Sequence, residues 1–399
     1  MTGQGRSDVA AHGPLHGIRV VELAGLGPSP FSAMMLADMG ADVIRIDRPG
    51  GATVGNPLSP RDDLLNRGRS SIAVDLKSPN GVETVLQLCD KADVLLEGFR
   101  PGVAERLGVG PDMVMSRNPR IIYGRMTGWG QAGPNSLRAG HDVNYLALSG
   151  ALAPIGPAER PVIPINLLGD FGGGGLLLAF GVMCALIEAR QSGRGQIVDA
   201  AITDGAALLT TQLHALAAQG LWSDRREANL LDGGAYFYGL YKCADEKFIS
   251  IGAIEPKFYA RLLELLGLAD DIDFLNGPEK PGLWPQLRKR LEALFRQHSR
   301  EHWSLLLANE DVCFAPVLSL TEAASHPHNA ARETFVEING VTQPAPAPRF
   351  SRSVPSTPVP PPAPGQHTRQ ILGDLGLQGR EIDELLASGA VHETTTASV

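Results

Sequence analysis

The strongest constraint on this chain is a recurrence in its first third. Short apolar runs, rich in Val, Ile and Leu, return again and again with helical stretches between them. They are Ile18–Leu23, Ala41–Asp47, Ser71–Leu76, Asp93–Glu97 and Arg120–Gly124. Each run is short and nearly continuous in its apolar character, the pattern of strands buried on both faces. Ser32–Met39, closed by Gly40, and Gly81–Lys91 read as helices between them. Strands alternating with helices imply a mostly parallel sheet with helices on both sides, and such open sheets bind ligands at the carboxyl ends of their strands.

The pattern changes after Gly195. Gln196–Ala201 reads as a strand and Asp204–Gly220 as one long helix. A strand at Lys247–Ile251 follows, with another at Tyr236–Tyr241 before it, and then helices at Pro256–Leu266, Leu283–Gln297 and Ser299–Ala308. A chain of 399 residues exceeds one ordinary core. The expected α/β organisation is a disordered segment 1–15, a large Rossmann-like domain 16–200, a linker helix 201–235 and a small α+β domain 236–325. A return segment 326–399 then carries a proline-rich strap, Pro344–Pro364, and a C-terminal helix, His367–Leu386, onto the large domain.

Composition narrows the function classes. The formal net charge is -8 and the pI about 5.7, which argues against nucleic acid or an anionic membrane as the main partner. Cys89, Cys184, Cys243 and Cys313 are far apart, with no metal or disulfide spacing. The first residues lack an apolar signal core. Leu176–Ile187, the longest apolar run, is too short to span a bilayer and reads as a buried helix. A cytoplasmic enzyme is expected.

Several segments can carry chemistry. Gly25-Leu26-Gly27-Pro28-Ser29-Pro30 follows the first strand and resembles half of a dinucleotide fingerprint. It fails at Pro30, and Pro28 lacks an N–H that a pyrophosphate would use, so no nicotinamide or flavin site is expected. Arg45, Arg48, Lys77, Arg100 and Arg106 recur after successive strands, where basic side chains suit phosphate oxygens. His141, in Gly140-His141-Asp142-Val143-Asn144-Tyr145, follows the Gly-rich loop Thr127–Gly130. An imidazole there is a candidate general base or simply a helix cap. Asp170 precedes Gly172-Gly173-Gly174-Gly175 at the expected start of a helix. Each glycine costs a helix about 1 kcal/mol relative to Ala, so four imply close approach of a ligand or of a neighbouring backbone. The amides at Gly172 and Gly173 are candidate oxyanion donors. Glu255, before Pro256, is either a reactive group or a favourable charge at a helix N-terminus.

These residues carry a resemblance to the family III CoA-transferases, also called CaiB/BaiF-like. Nearly the whole chain takes part: Gly17–Leu23, Met39–Asp47, Asp75-Leu76-Lys77, Glu97–Gly102, Arg125–Gln131 and the tail Gly365–Val391. Within the family the chain resembles the branch that racemises 2-methylacyl-CoA thioesters, because His141 stands where transferases carry an aromatic residue. The resemblance implies catalytic roles for His141, Asp170 and Glu255. It implies CoA or substrate contacts at Arg48, Val74, Leu76, Lys77, Gly98, Arg100, Arg106, Asp142 and Tyr145, with Asp142 touching the thioester. It also implies an interlocked homodimer in which Glu255 comes from the partner subunit, and no cofactor beyond the CoA of the substrate. The competing activity is CoA transfer through an acyl anhydride on Asp170.

Overall fold

In a computed structural model, which describes residues 13–50, 58–60 and 62–394, the apolar runs become strands. β1 (Arg19–Leu23), β2 (Asp42–Asp47), β3 (Ser70–Val74), β4 (Val94–Glu97), β5 (Ile122–Thr127) and β6 (Ile197–Ala201) pair in parallel. Three further strands, β7 (Tyr238–Lys242), β8 (Phe248–Gly252) and β9 (Phe314–Pro316), form a separate antiparallel sheet. β10 (Phe335–Ile338) and β11 (Val341–Pro344) make a hairpin, and β12 (Val391–His392) adds an antiparallel edge to β3.

The large sheet runs β12-β3-β2-β1-β4-β5-β6. Its order reverses between β1 and β4, so connections leave those neighbours in opposite directions and a crevice opens at their carboxyl ends. Side-chain alternation explains the two cores. Val21, Leu23, Ile44, Ile46, Ile72 and Leu95 face the helix Pro79–Asp90 and the C-terminal helices. Val20, Val43, Val94, Leu96 and Ile122 face the helices Pro28–Asp38 and Leu176–Ser192.

The chain divides into two units. One holds the described residues up to Ser149, Ile165–Leu209 and the segment from Arg332 onward; the other holds Gly150–Pro164 and Thr210–Ala331. The stretch Gly150–Pro164 therefore groups with the second unit, inside what reads from the sequence as the large domain. The stretch read as one helix, Asp204–Gly220, is two, Ile202–Leu209 and Thr211–Ala218, and the division falls between them. The second unit packs its antiparallel sheet and the helices Pro256–Leu265, Trp284–Phe295 and Arg300–Leu307 around Tyr236, Tyr241, Phe274 and Phe295.

Other expectations shift. Residues 1–12 of the segment expected to be disordered lie outside the described residues, but Leu15 is buried and its N–H donates to the Met39 carbonyl at 3.0 Å. The apolar helix is not wholly buried: Leu176, Phe180, Cys184 and Ile187 are exposed along one face. With the π-helix that precedes it, the segment Leu167–Ser192 is long and apolar enough to cross a membrane, and 44% of its apolar 18-residue window is buried in the protein.

Candidate active site

The site is built at the crevice between β1 and β4. After Leu23 the chain turns through Gly27, which caps the helix Pro28–Asp38 with φ 68° and ψ -116°. Pro28 is its first residue, where a missing N–H has no consequence, so the helix starts four residues before the sequence suggests. A methyl group on Gly27 would stand 3.2 Å from Oδ2 of Asp170. The loop after β1 and the carboxyl group of Asp170 thus share one spot.

Asp170 lies in a nine-residue π-helix, Leu167–Gly175, continuous with the α-helix Leu176–Ser192. Such segments are rare and recur at functional sites. The Asp170 N–H donates to Oδ1 of Asp142 at 2.7 Å, and Asn166 Nδ2 donates to Asp170 Oδ2 at 3.4 Å. Burial and the nearby charge of Asp142 push the Asp170 carboxyl up to about 6, against the opposing Asn166 hydrogen bond and the positive charge of His141.

His141 is exposed at the start of the helix Asp142–Ser149. Its N–H donates to Oδ1 of Asn144 at 3.0 Å, which fixes the backbone entering the helix. Tyr145 stacks edge-on against Trp129, centroids 4.7 Å apart, and its hydroxyl donates to the Gly140 carbonyl. These contacts pin the His141 loop to the end of β5. Burial and the charge of Asp170 raise the Tyr145 phenol, while Arg100 lowers it, so Tyr145 lies under the influence of both groups.

The expected CoA residues fall along the carboxyl edge of the sheet. Arg48 follows β2, Leu76 and Lys77 follow β3, and Gly98 and Arg100 follow β4. Arg106 ends the short helix Val103–Arg106, its guanidinium folded toward Gly102. Arg48, Lys77, Gly98, Arg100 and Arg106 are exposed. Val74 is buried in the core and pairs with Val391, so its side chain is not available to a ligand. Arg45 is also buried, bonded to Asp47 at 2.9 Å, and makes no phosphate site.

Two further expectations need revision. Asp142 does not present its side chain to a ligand: it is 8% exposed and committed to the Asp170 amide. Gly172 and Gly173 do not begin a helix, because the π-helix starts at Leu167 and uses amides five residues on for its own bonds. Gly173 serves backbone packing: a methyl on it would sit 2.7 Å from the Ala206 nitrogen, and one on Gly205 would sit 1.8 Å from the Gly173 carbonyl oxygen.

Glu255 belongs to the second unit. It is exposed and stands at the N-cap of the helix Pro256–Leu265 without a side-chain capping bond. Its charge and local burial raise the nearby Cys313 thiol, burial having the larger effect. The sequence reading names Gly27 only within the Gly25–Pro30 loop and gives Gly169 no role of its own; Asn166 it does not single out at all, and no motif marks it.

Comparison with known proteins gives the family. The model of the CoA-transferase family III matches residues 15–368. Alpha-methylacyl-CoA racemase of Mus musculus is 44% identical over 375 residues, covering 93% of this chain and 96% of that protein. Its Homo sapiens counterpart is 42% identical over 379 residues, with the same coverage of 93% and 96%. Succinyl-CoA:glutarate CoA-transferase of Mus musculus is 32% identical, covering 98% of this chain and 94% of that protein. Among solved structures, a CaiB/BaiF family protein from Brucella suis superposes with a TM-score of 0.80 at 27% identity, covering 91% of this chain and 100% of that one. A hypothetical protein from Mycobacterium tuberculosis superposes at 0.75 and 29% identity, covering 90% and 99%. With its sheet order, its strand-end crevice and a family match over most of its length, the chain belongs to the CoA-transferase family III.

Proposed function

We propose that this protein racemises 2-methylacyl-CoA thioesters at C2 by moving a proton through an enolate. One observation carries the reading: Asp170, its carboxyl pushed up to about 6, feels the charge of His141 at one crevice. An imidazole ordinarily titrates near 6.5, so a carboxyl raised to this range can exchange acid and base roles with it. The two relatives above 40% identity, both named alpha-methylacyl-CoA racemase, support the same chemistry.

One group takes the C2 proton, and the C–H electron pair moves into the C1–C2 bond and onto the thioester oxygen. The other group returns a proton to the opposite face as that pair comes back to C2. Nothing is gained or lost overall, and the two groups have exchanged protonation states. Arg48, Lys77, Arg100 and Arg106 meet the phosphates of CoA, which enters as part of the substrate and is the only cofactor this reaction calls for. In this reading Glu255 of a second copy orients His141 within an interlocked homodimer. The absence of a capping bond on Glu255 suits that role, and the exposed apolar face at Leu176, Phe180, Cys184 and Ile187 suits coverage by a second copy. We propose a cytoplasmic location.

CoA transfer is the second reading, favoured by the 32% identity to succinyl-CoA:glutarate CoA-transferase. It uses Asp170 as a nucleophile and gives His141 no part. Purified protein incubated with (2R)-2-methylacyl-CoA in D2O and followed at C2 by NMR separates them. Deuterium at C2 with loss of stereochemistry, lost in both H141A and D170A, supports racemisation. CoA transfer to an added carboxylate, forming its thioester and needing Asp170 alone, with no deuterium entry, overturns it.

A further inference from the structure

Asp142 is the buried acid that the reaction leaves unused. It is 8% exposed, one oxygen takes the Asp170 N–H at 2.7 Å, and the other, Oδ2, is buried without a hydrogen-bond partner. A carboxylate in such a place is costly to keep unless it serves the surrounding structure. Gly169 makes room for it: a methyl there would fall 2.1 Å from Asp142 Oδ1. The residue before Asp170 is therefore fitted to the side chain that follows His141.

We infer that Asp142 is a positioning residue for the proton-transfer site: it clamps the first turn of the π-helix through the Asp170 amide and holds a second negative charge against the Asp170 carboxyl. The two acids lie on different elements, the helix Asp142–Ser149 and the π-helix, so the clamp also joins the His141 loop to the Asp170 turn. One side chain thereby sets where Asp170 sits and when it ionises.

Few other charges compete. Among the described residues, Asp142, His141 and Tyr145 are the titratable groups that act on Asp170 or respond to it. The helix Pro28–Asp38 meets the site with its uncharged first turn, and its one acid, Asp38, is bonded to Arg67 at the far end. The helix Ile202–Leu209 carries an exposed Asp204, and Glu188 and Arg190 lie in the last turns of Leu176–Ser192, also exposed. Asp142 is the acid whose repulsion Asp170 registers, and its carboxyl is itself raised by burial.

The experiment separates clamp from charge. Asparagine at 142 keeps an oxygen for the Asp170 amide and removes the charge; alanine removes both. The full-length protein is labelled with 13C at the aspartate carboxyl carbons, and the Asp170 resonance is assigned by its loss in D170N. The expected wild-type midpoint is near 6. In D142N it falls by about one pH unit, toward the ordinary carboxylate value. Where racemase activity is present, the acid limb of kcat/KM moves down with it in D142N, while D142A loses kcat as well. This kinetic arm rests on the racemase reading; the titration does not. An ordinary carboxylate midpoint in the wild type, measurable even if the variants fail to fold, overturns the inference, as does an unchanged midpoint in folded D142N. A raised midpoint that falls in D142N, in a protein that exchanges no C2 proton, keeps the positioning role and removes the racemase reading.

Discussion

Gly27 and Asp170 occupy the same corner of the molecule: the hydrogen where Gly27 lacks a side chain faces the Asp170 carboxylate, 3.2 Å from where a methyl carbon would be. Gly27 also holds φ 68° and ψ -116°, a backbone state that side chains resist. Gly27→Ala is expected to lose about 1–3 kcal/mol of stability and to displace the carboxylate. Denaturant unfolding would show the first effect, and the rate of deuterium entry at C2 the second.

His141 and Asp170 each hold one end of the proposed proton path. Positioned acid–base groups typically contribute about 10²–10⁴-fold. H141A and D170N are each expected to lose inversion by a factor in that range while keeping their affinity for CoA. Chiral analysis of the thioester, alongside CoA binding by calorimetry, checks both.

The raised Asp170 carboxyl has a consequence for stability. Its folded value of about 6 lies above the ordinary 3.8, so the folded state binds more protons than the unfolded state between those values. The contribution of this group to stability therefore declines as pH rises from about 4 through 6, and above that range ionised Asp170 is a fixed penalty. Asp170→Asn removes the penalty. Its melting temperature is expected to exceed that of the wild type above pH 6, and the gain to vanish below about pH 4. Thermal scans across that range decide it; a gain confined to acid pH reverses the sign and refutes the account.

Beneath the site lies a buried ion pair, Arg69 to Glu22 at 2.7 Å, with neither side chain exposed to solvent. Arg69 also donates to the carbonyls of Pro30 and Leu65, tying β3 to the first turn of the helix Pro28–Asp38. Burial pulls the guanidinium down to about 10, a measure of how costly its charge is there. Removing one partner leaves an uncompensated charge, at roughly 3–5 kcal/mol. Glu22→Gln is expected to lower the urea midpoint accordingly, and a change within error would show that the pair is dispensable.

The parallel sheet was legible because strands buried on both faces have to be nearly all apolar, as at Val20–Val21 and Leu95–Leu96. Asp170 was legible because the glycines after it demanded a reason. That reason proved to be the contact of Gly173 with Gly205, since two elements meeting through glycine carbonyls leave no periodic trace. The helix start at Pro28 was hidden because two prolines in three residues look like a loop, although a first helical turn tolerates them. The break at Thr210 carries no glycine or proline to announce it. The Asp142–Asp170 contact spans 28 residues and depends on a shape that only the folded chain has.

The final short strand, β12, has one further consequence. By lying antiparallel along β3, Val391 and His392 take up hydrogen-bonding groups that β3 would otherwise turn outward, and the Ala390 carbonyl receives the Asp75 N–H at 2.9 Å. An open strand edge is a template for other chains. The tail is thus a guard against aggregation as much as a piece of the fold. A protein ending before Ala390 would retain every proposed reacting group and still tend to pair edge to edge with its neighbours.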